Sequence, residues 1–222
     1  MIKAVVTDID GTITDQRRHI QTQGIEALRK VRDDGIITMV ASGNALPVAY
    51  GLHTFIGMSG PIIAENGGMV AHGEEVFKAY GNQIALKAFE YLKERMPVER
   101  LFTDRWRETQ VSLKPTVDPR EVEHALADWD IMVEATGFAI HLMEVGNSKL
   151  RGVQKACEIL GIDVSEVAAF GDSDNDAKML RGCGAGIAVA NASPAAKEAA
   201  DYVARRPYSD GVVEGLEWLG LL

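Results

Sequence analysis

Cysteine is nearly absent: Cys157 and Cys183 are the two in 222 residues, and they do not form a Cys-x-x-Cys pair. A secreted disulfide scaffold is therefore not expected, packing is the expected role of both thiols, and the cytoplasm is the natural compartment. Positive charge is also in deficit, with 23 Lys and Arg against 32 Asp and Glu and a net charge of −9. That balance argues against non-specific binding to nucleic acid or to an anionic membrane, while leaving small anionic ligands open. No stretch reaches the roughly 18 apolar residues of a membrane span. No basic leader with a long apolar run opens the chain either, because Asp8 and Asp10 interrupt it at once. Neither a Gly-x-Gly-x-x-Gly nor a Walker A run follows a strand-like segment, which disfavours a nucleotide-binding Rossmann or P-loop protein. None of the five histidines falls in a His-Glu-x-x-His arrangement, so no zinc is assigned. Internal repeats, low-complexity tracts and long linkers are missing too.

What remains is ordinary globular material: 46% hydrophobic and 25% charged residues, enough for one large domain or two small ones. Short apolar runs alternate with helical spacing from the start. Lys3–Thr7 predicts a strand, Gln23–Asp33 a helix, Ile36–Ala41 a strand, Pro47–Phe55 a helix and Pro61–Ala64 a strand. That order is the pattern of a parallel sheet with crossover helices. The texture then changes. A longer amphipathic helix is expected over Ile84–Met96, followed by alternating strands over Glu108–Lys114, Ile131–Glu134 and Phe138–Val145, with a helix over Pro119–Trp129 between the first two. From Lys149 the first texture returns, with helices over Leu150–Leu160, Asn175–Leu180, Pro194–Ala200 and Asp210–Leu219. Between these helices fall short strands over Val167–Phe170, Ala185–Ala190 and Tyr202-Val203. The expected fold class is α/β: a doubly wound, Rossmann-like parallel sheet formed by residues 1–80 and 148–222, interrupted by an inserted α+β domain over 81–147.

In such sheets ligands bind beyond the carboxyl ends of the strands. The first strand ends in Asp8-Ile9-Asp10-Gly11-Thr12. Residues two apart on a strand share a side, so Asp8 and Asp10 can face one point. Two carboxylates so close repel unless a cation lies between them or one is neutral. The second strand ends at Ser42-Gly43-Asn44, and the strand after the insertion ends at Gly171-Asp172-Ser173-Asp174-Asn175-Asp176, with Lys149 beginning the helix just before it. Taken singly these are a capped turn, a surface lysine and a solvated helix start. Together, in this order and at strand ends, they suit phosphoryl transfer. Asp8, Asp10, Asp172 and Asp176 call for a hard cation with oxygen ligands, best met by Mg²⁺. Ser42 can donate to a phosphate oxygen, and Lys149 adds positive charge. Asp8 can attack phosphorus, and Asp10 can protonate the leaving oxygen and then activate water.

These residues resemble the motifs of the haloacid dehalogenase superfamily. The first motif matches Asp8-Ile9-Asp10-Gly11-Thr12, the second Ser42, the third Lys149 and the fourth Gly171–Asp176. The insertion between the second and third motifs resembles the Cof-like branch with a C2-type cap, as do Glu65-Asn66-Gly67-Gly68, Asn191-Ala192 and Asp210-Gly211-Val212. The short chain and small cap are similar to archaeal phosphoglycolate phosphatases. The resemblance implies Asp8 as nucleophile, Asp10 as acid/base and metal ligand, Asp172 and Asp176 at Mg²⁺, and Ser42, Asn44 and Lys149 on the phosphate. One departure is that relatives often have Gly directly after the motif Lys. Here Leu150 and Arg151 intervene before Gly152, which makes Arg151 a lesser candidate cation.

A cap meets the leaving group and so sets substrate choice. Arg105, Arg107, Lys114 and His141 are the candidates there, because a substrate carboxylate needs a cation as partner. The expected activity is Mg²⁺-dependent hydrolysis of a small phosphorylated metabolite, 2-phosphoglycolate, by a monomer or homodimer. The alternatives are a broad-range sugar-phosphate phosphatase, a phosphosugar mutase and a non-catalytic phospholigand-binding module. The intact Asp8 and Asp10 pair disfavours the last, because binding needs neither a nucleophile nor an acid.

Overall fold

Short runs of buried, β-branched and small residues build the central sheet. In the computed structural model, which describes residues 1–222, the first is β1 (Ala4–Thr7), every residue of it buried. It is followed by α1 (Thr22–Asp33), β2 (Ile37–Ala41), α2 (Leu46–Ile56), β3 (Ile62–Ala64), β4 (Met69–His72) and β5 (Glu75–Lys78). A second series comprises α3 (Gln83–Lys93), β6 (Gln110–Leu113), α4 (Pro119–Ala125), β7 (Ile131–Ala135) and β8 (Ile140–Glu144). The chain then completes the first unit with α5 (Lys149–Leu160), β9 (Val167–Gly171), α6 (Ala177–Gly182), β10 (Ala185–Ala188), α7 (Pro194–Ala199), β11 (Tyr202–Val203) and α8 (Tyr208–Trp218).

The strands form an eight-stranded sheet in the order β11-β10-β9-β1-β2-β3-β4-β5 and a three-stranded sheet in the order β6-β8-β7. Strands β11 to β3 are parallel, and helices cover both faces, which is why β1, β9 and β10 carry no polar alternation. Ala4 pairs with Ile37 on one side and Val167 on the other. β1 is therefore central, and the chain leaves it in one direction and later returns on the other. Its carboxyl end is the switch point where such sheets open a crevice, and Asp8 is the next residue.

Two of the helices expected from spacing stop early. The helix expected to reach Met96 ends at Lys93, and the one expected to reach Trp129 ends at Ala125, where Leu126 turns out of helical geometry. The hairpin of β4 and β5 was not anticipated. It adds two antiparallel strands to the sheet edge, and β5 is too exposed for its alternation to carry an apolar signal.

The apolar side chains separate into two clusters, one under the large sheet and one under the small sheet. In the smaller unit Val111, Leu113, Ile140 and Leu142 pack against Ala85, Ala88, Phe89 and Leu92. The opposite strand face carries Gln110, Ser112 and His141, and all three are buried against the larger unit rather than solvated.

The seam between the units is built at the end of β3. Glu65 and Asn66 both adopt left-handed φ, 52° and 56°, which is uncommon outside glycine. This turns the Glu65 carboxylate to accept from the Glu108 amide at 3.1 Å, the Thr109 amide at 2.8 Å and the Thr109 hydroxyl at 2.7 Å. Gly67, at φ 95°, lies so close to Ser148 O that a Cβ would collide with it. The close approach expected directly after Lys149 occurs two residues later, at Gly152. Gly152 meets Gly67 Cα at 2.9 Å from its would-be Cβ, and Arg151 lies outside, over the Tyr80 ring. Cys157 and Cys183 are buried and unpaired. No helix is long and apolar enough to cross a membrane.

Leu142 is fully buried at the centre of the three-stranded sheet. Leu142→Ala should lower unfolding free energy by about 3 kcal/mol, read from urea denaturation. A loss below about 1 kcal/mol would mean that the smaller unit's core contributes little to the cooperative fold.

Candidate active site

The end of β1, the start of α5 and the loop after β9 bring three carboxylates and one ammonium together. Asp8 follows β1 and donates its backbone amide to Phe170 O at 2.9 Å, which fixes it beside β9. Lys149 begins α5, capped by Ser148, whose hydroxyl accepts from the Arg151 amide. Its Nζ lies 2.6 Å from Asp8 Oδ1 and 2.6 Å from Asp176 Oδ1, and all three side chains are buried. The other Asp176 oxygen accepts from the Asp172 and Ser173 amides at 3.0 and 3.1 Å, so Asp176 closes the loop that carries Asp172. Thr12 Oγ1 donates to Asp172 Oδ1 at 3.3 Å. Gly11, at φ 88°, lets the chain turn where a Cβ would strike the Asp172 carboxylate.

Carboxylate oxygens of Asp8, Asp172 and Asp176 lie within 4.8 Å of one another. Burial raises the proton affinity of Asp8 well above the carboxylate range, Lys149 opposes that, and the neighbouring acids Asp176, Asp172 and Asp10 add to it. Burial, then Asp176, pushes Asp172 up to about 7. Burial pulls Lys149 toward neutrality, but the charges of Asp176 and Asp8 outweigh it and hold the ammonium above its ordinary range. With all three carboxyls ionised, as a bound cation would favour, the single ammonium leaves an excess of negative charge. An oxygen-only donor set with that excess fits a hard divalent ion. Both Asp176 oxygens are engaged with Lys149 and loop amides, so Asp8 and Asp172 are the freer donors.

The expected site residues do not all fall in one cluster. Asp10 is not in the metal-competent cluster: Arg18 Nε donates to its Oδ1 and Asn44 Nδ2 to its Oδ2, both at 2.7 Å, because the turn at Gly11 aims the carboxylate toward those donors. Asn44 also donates to Ser42 Oγ at 3.0 Å, so its amide positions Asp10 instead of reaching for phosphate. Ser42 Oγ accepts from the Asn44 amide and side chain, which leaves its proton for an incoming oxygen. Lys149 meets Asp8 and Asp176 directly.

In the smaller unit, Lys114 pairs with Glu99 at the surface and exposed Arg105 stacks on Phe102 and Trp106, so neither reaches the cavity. Both sit on the polar periphery of that unit, where charged side chains find local partners. Arg107 is buried and donates to Gly43 O at 2.6 Å, tying the smaller unit to the Ser42 loop. Burial lowers its proton affinity, while Glu65 and Asp104 counter it. His141 bonds Ser112 Oγ at 2.8 Å. Burial, then the charges of Arg107 and Lys149, hold it neutral.

A cavity of about 340 Å³ opens beside Asp8, Asp10 and Asp172. Its wall includes residues that spacing did not single out, Arg18, Thr136, Phe138 and Tyr208, beside Asn175 of the Gly171–Asp176 run. Asn191, which the motif comparison had noted, donates to Gly11 O at 2.8 Å and accepts from the Tyr208 amide at 2.8 Å, linking α8 to the Asp8 loop. The left-handed φ of Arg18 (63°) and Tyr208 (53°) could not be read from residue type, since neither is a residue that favours it.

The family model of haloacid dehalogenase-like hydrolases matches residues 5–106 and 118–216. A phosphoglycolate phosphatase of Methanothermobacter thermautotrophicus is 36% identical over 97% of this chain and 97% of its own. One from Archaeoglobus fulgidus is 38% identical over 99% and 98%. A crystal structure of Thermoplasma acidophilum protein 0175 superposes with a TM-score of 0.93 at 29% identity, each chain covered in full.

Asp8→Asn should reduce turnover by at least about 10³-fold. The raised carboxylate means that the charged form opposes folding as pH rises through the native range, so the thermal midpoint of Asp8→Asn at pH 8 should equal or exceed that of the parent. A lowered midpoint would contradict the electrostatic picture, and near-normal turnover would remove Asp8 from the chemistry. Because Asp172 holds a proton below about pH 7, divalent-ion affinity measured by titration calorimetry should weaken by up to about tenfold per pH unit on going from 7 to 6. A pH-independent affinity would contradict the raised Asp172 carboxyl.

Proposed function

Because the chain belongs to the haloacid dehalogenase-like hydrolase family, we propose that it is a phosphomonoesterase working through an aspartyl phosphate on Asp8, with Mg²⁺ as its ion and 2-phosphoglycolate as its substrate. The observation that carries the chemistry is the Lys149 ammonium held 2.6 Å from both Asp8 and Asp176. It keeps one Asp8 oxygen anchored while the other faces the cavity wall that also contains Asp10 and Asp172. The substrate class rests on the full-length likeness to phosphoglycolate phosphatases of two archaea.

In this reading Asp8 attacks phosphorus and forms the O–P bond as the ester O–P bond breaks. Asp10, held by Arg18 and Asn44, delivers a proton to the leaving oxygen and then takes one from the water that cleaves the acyl phosphate. Ser42 donates to a phosphoryl oxygen. Asp8 and Asp172 would hold the ion, which, when bound, offsets the charge of the phosphate dianion against the nucleophile. Lys149 contributes to the same offset and fixes the Asp8 rotamer. Residues 81–147 form the cap, whose Thr136–Phe138 turn closes the cavity from above and limits water access.

Phosphate release should fall below about 1% of its rate in excess EDTA and return with Mg²⁺; an unchanged rate in EDTA would take the ion out of the reaction. Across a panel of phosphomonoesters, kcat/KM for 2-phosphoglycolate should exceed that for hexose and triose phosphates by about tenfold or more. A flat profile would keep the hydrolytic chemistry and favour a broad-range sugar-phosphate phosphatase.

A further inference from the structure

The cavity beside Asp8 has a single cation among its lining residues, Arg18. The other basic groups nearby do not line it. Lys149 is enclosed between Asp8 and Asp176, and Arg107 is buried behind the Ser42 loop on Gly43 O. Arg18 belongs to the loop after β1, in a turn organised by Asp15, whose carboxylate accepts from the Arg17 and His19 amides at 2.8 and 2.9 Å. The Arg18 amide itself donates to Asp15 O at 2.8 Å. Its φ of 63° is maintained against the usual preference of a long side chain, and the consequence is that the guanidinium is directed back over the site.

Two contacts fix that guanidinium. Nε donates to Asp10 Oδ1 at 2.7 Å, and its carbon stands 4.6 Å from the Phe138 ring centroid. Asp10 comes from the larger unit and Phe138 from the turn between β7 and β8 of the smaller one, so the cation is seated only when the two units meet. A guanidinium offers five N–H donors in a planar fork. One is used on Asp10. The terminal nitrogens form no bond within the protein, and the side chain is 53% exposed, facing the cavity. A planar pair of donors with no partner matches a carboxylate bidentately. Ring stacking on one face orients the fork without using any donor.

We propose that Arg18 reads a carboxylate on the leaving group of the substrate, and that it does so as a core residue seated by the cap residue Phe138. The proposal rests on the phosphatase reading above and assigns the carboxylate specificity to a residue of the loop after β1 rather than to the cap cations Arg105, Arg107 or Lys114. It also ties substrate choice to acid positioning, because the guanidinium that binds the carboxylate is the one that holds Asp10. An ester without a carboxylate forgoes that pairing, and the lost transition-state contact is what discriminates against it.

The test uses two matched pairs of phosphomonoesters that differ by a carboxylate against a hydroxymethyl group: 2-phosphoglycolate with 2-hydroxyethyl phosphate, and 3-phosphoglycerate with glycerol 3-phosphate. In the parent protein kcat/KM should favour the carboxylate member of the preferred pair by tenfold or more. In Arg18→Ala that ratio should collapse to within threefold of unity, mainly through KM for the carboxylate ester, and Arg18→Lys should restore part of it. If the parent ratio survives in Arg18→Ala while both rates fall together, Arg18 only positions Asp10 or the loop, and the carboxylate assignment is wrong. If the Arg18-dependent preference is seen in the 3-phosphoglycerate pair and not in the 2-phosphoglycolate pair, Arg18 stands as the receptor and 2-phosphoglycolate falls as the substrate. A parent protein that prefers neither carboxylate member overturns both.

Discussion

The molecule depends on one buried ammonium. Lys149 is almost wholly enclosed and touches two carboxylates that come from opposite sides of the sheet's switch point. Without it, Asp8, Asp172 and Asp176 would stand within 4.8 Å of one another with no positive charge among them, and burial would drive them neutral. With it, one oxygen of Asp8 is anchored and the loop after β9 has a fixed end, because Asp176 holds both Lys149 and the amides of residues 172 and 173. The ammonium does not balance the site. It leaves a net negative charge that suits a divalent ion and, with that ion, a phosphate.

That arrangement explains why the two units meet as they do. Lys149 opens the helix that follows the return from the smaller unit, so its position relative to Asp8 depends on the seam. Glu65 binds the start of β6, Gly67 admits Ser148, and Arg107 and Gln110 both reach Gly43 O. These contacts use buried polar groups, which are costly to leave unpaired. A shift at the seam therefore disturbs the Ser42 loop on one side and the start of α5 on the other. Thr136, Gly137 and Phe138 close the same cavity from the smaller unit, while the loop holding Arg18 closes it from the larger one.

Much of the larger unit could be read from residue order alone. Parallel strands buried on both faces appear as short apolar runs, and β1, β2, β3, β9 and β10 do so within a few residues of their observed ends. The β4–β5 hairpin could not be read this way, because its outer strand faces solvent and carries charged residues at both ends. In the smaller unit the alternation in β6 and β8 marks the apolar face that packs on α3. It did not reveal that Gln110, Ser112 and His141 are buried as well, since a polar face packed against another unit has the same pattern as one packed against water. For the same reason Lys114 and Arg105 looked like candidates for the site, and Arg18, in a loop with no periodicity, did not.

The sequence by itself determined the fold class and the chemistry at the strand ends. Hydrophobic period and turn residues are local properties: Asp8, Asp10, Ser42, Asp172 and Asp176 follow the ends of β1, β2 and β9, and Lys149 opens α5. The tertiary structure decided how those groups share their bonds. Asp10 turns to Arg18 and Asn44 and away from the carboxylate cluster, Asp176 serves Lys149, and the cavity's free cation comes from the loop after β1. Hydrogen bonds and ion pairs are set by directions and separations of a few ångströms, between residues as near as Asp10 and Arg18, 8 positions apart, and as far as Asp8 and Lys149, 141 positions apart. Those separations exist only once the sheet has brought β1 beside β9 and the smaller unit has closed over them.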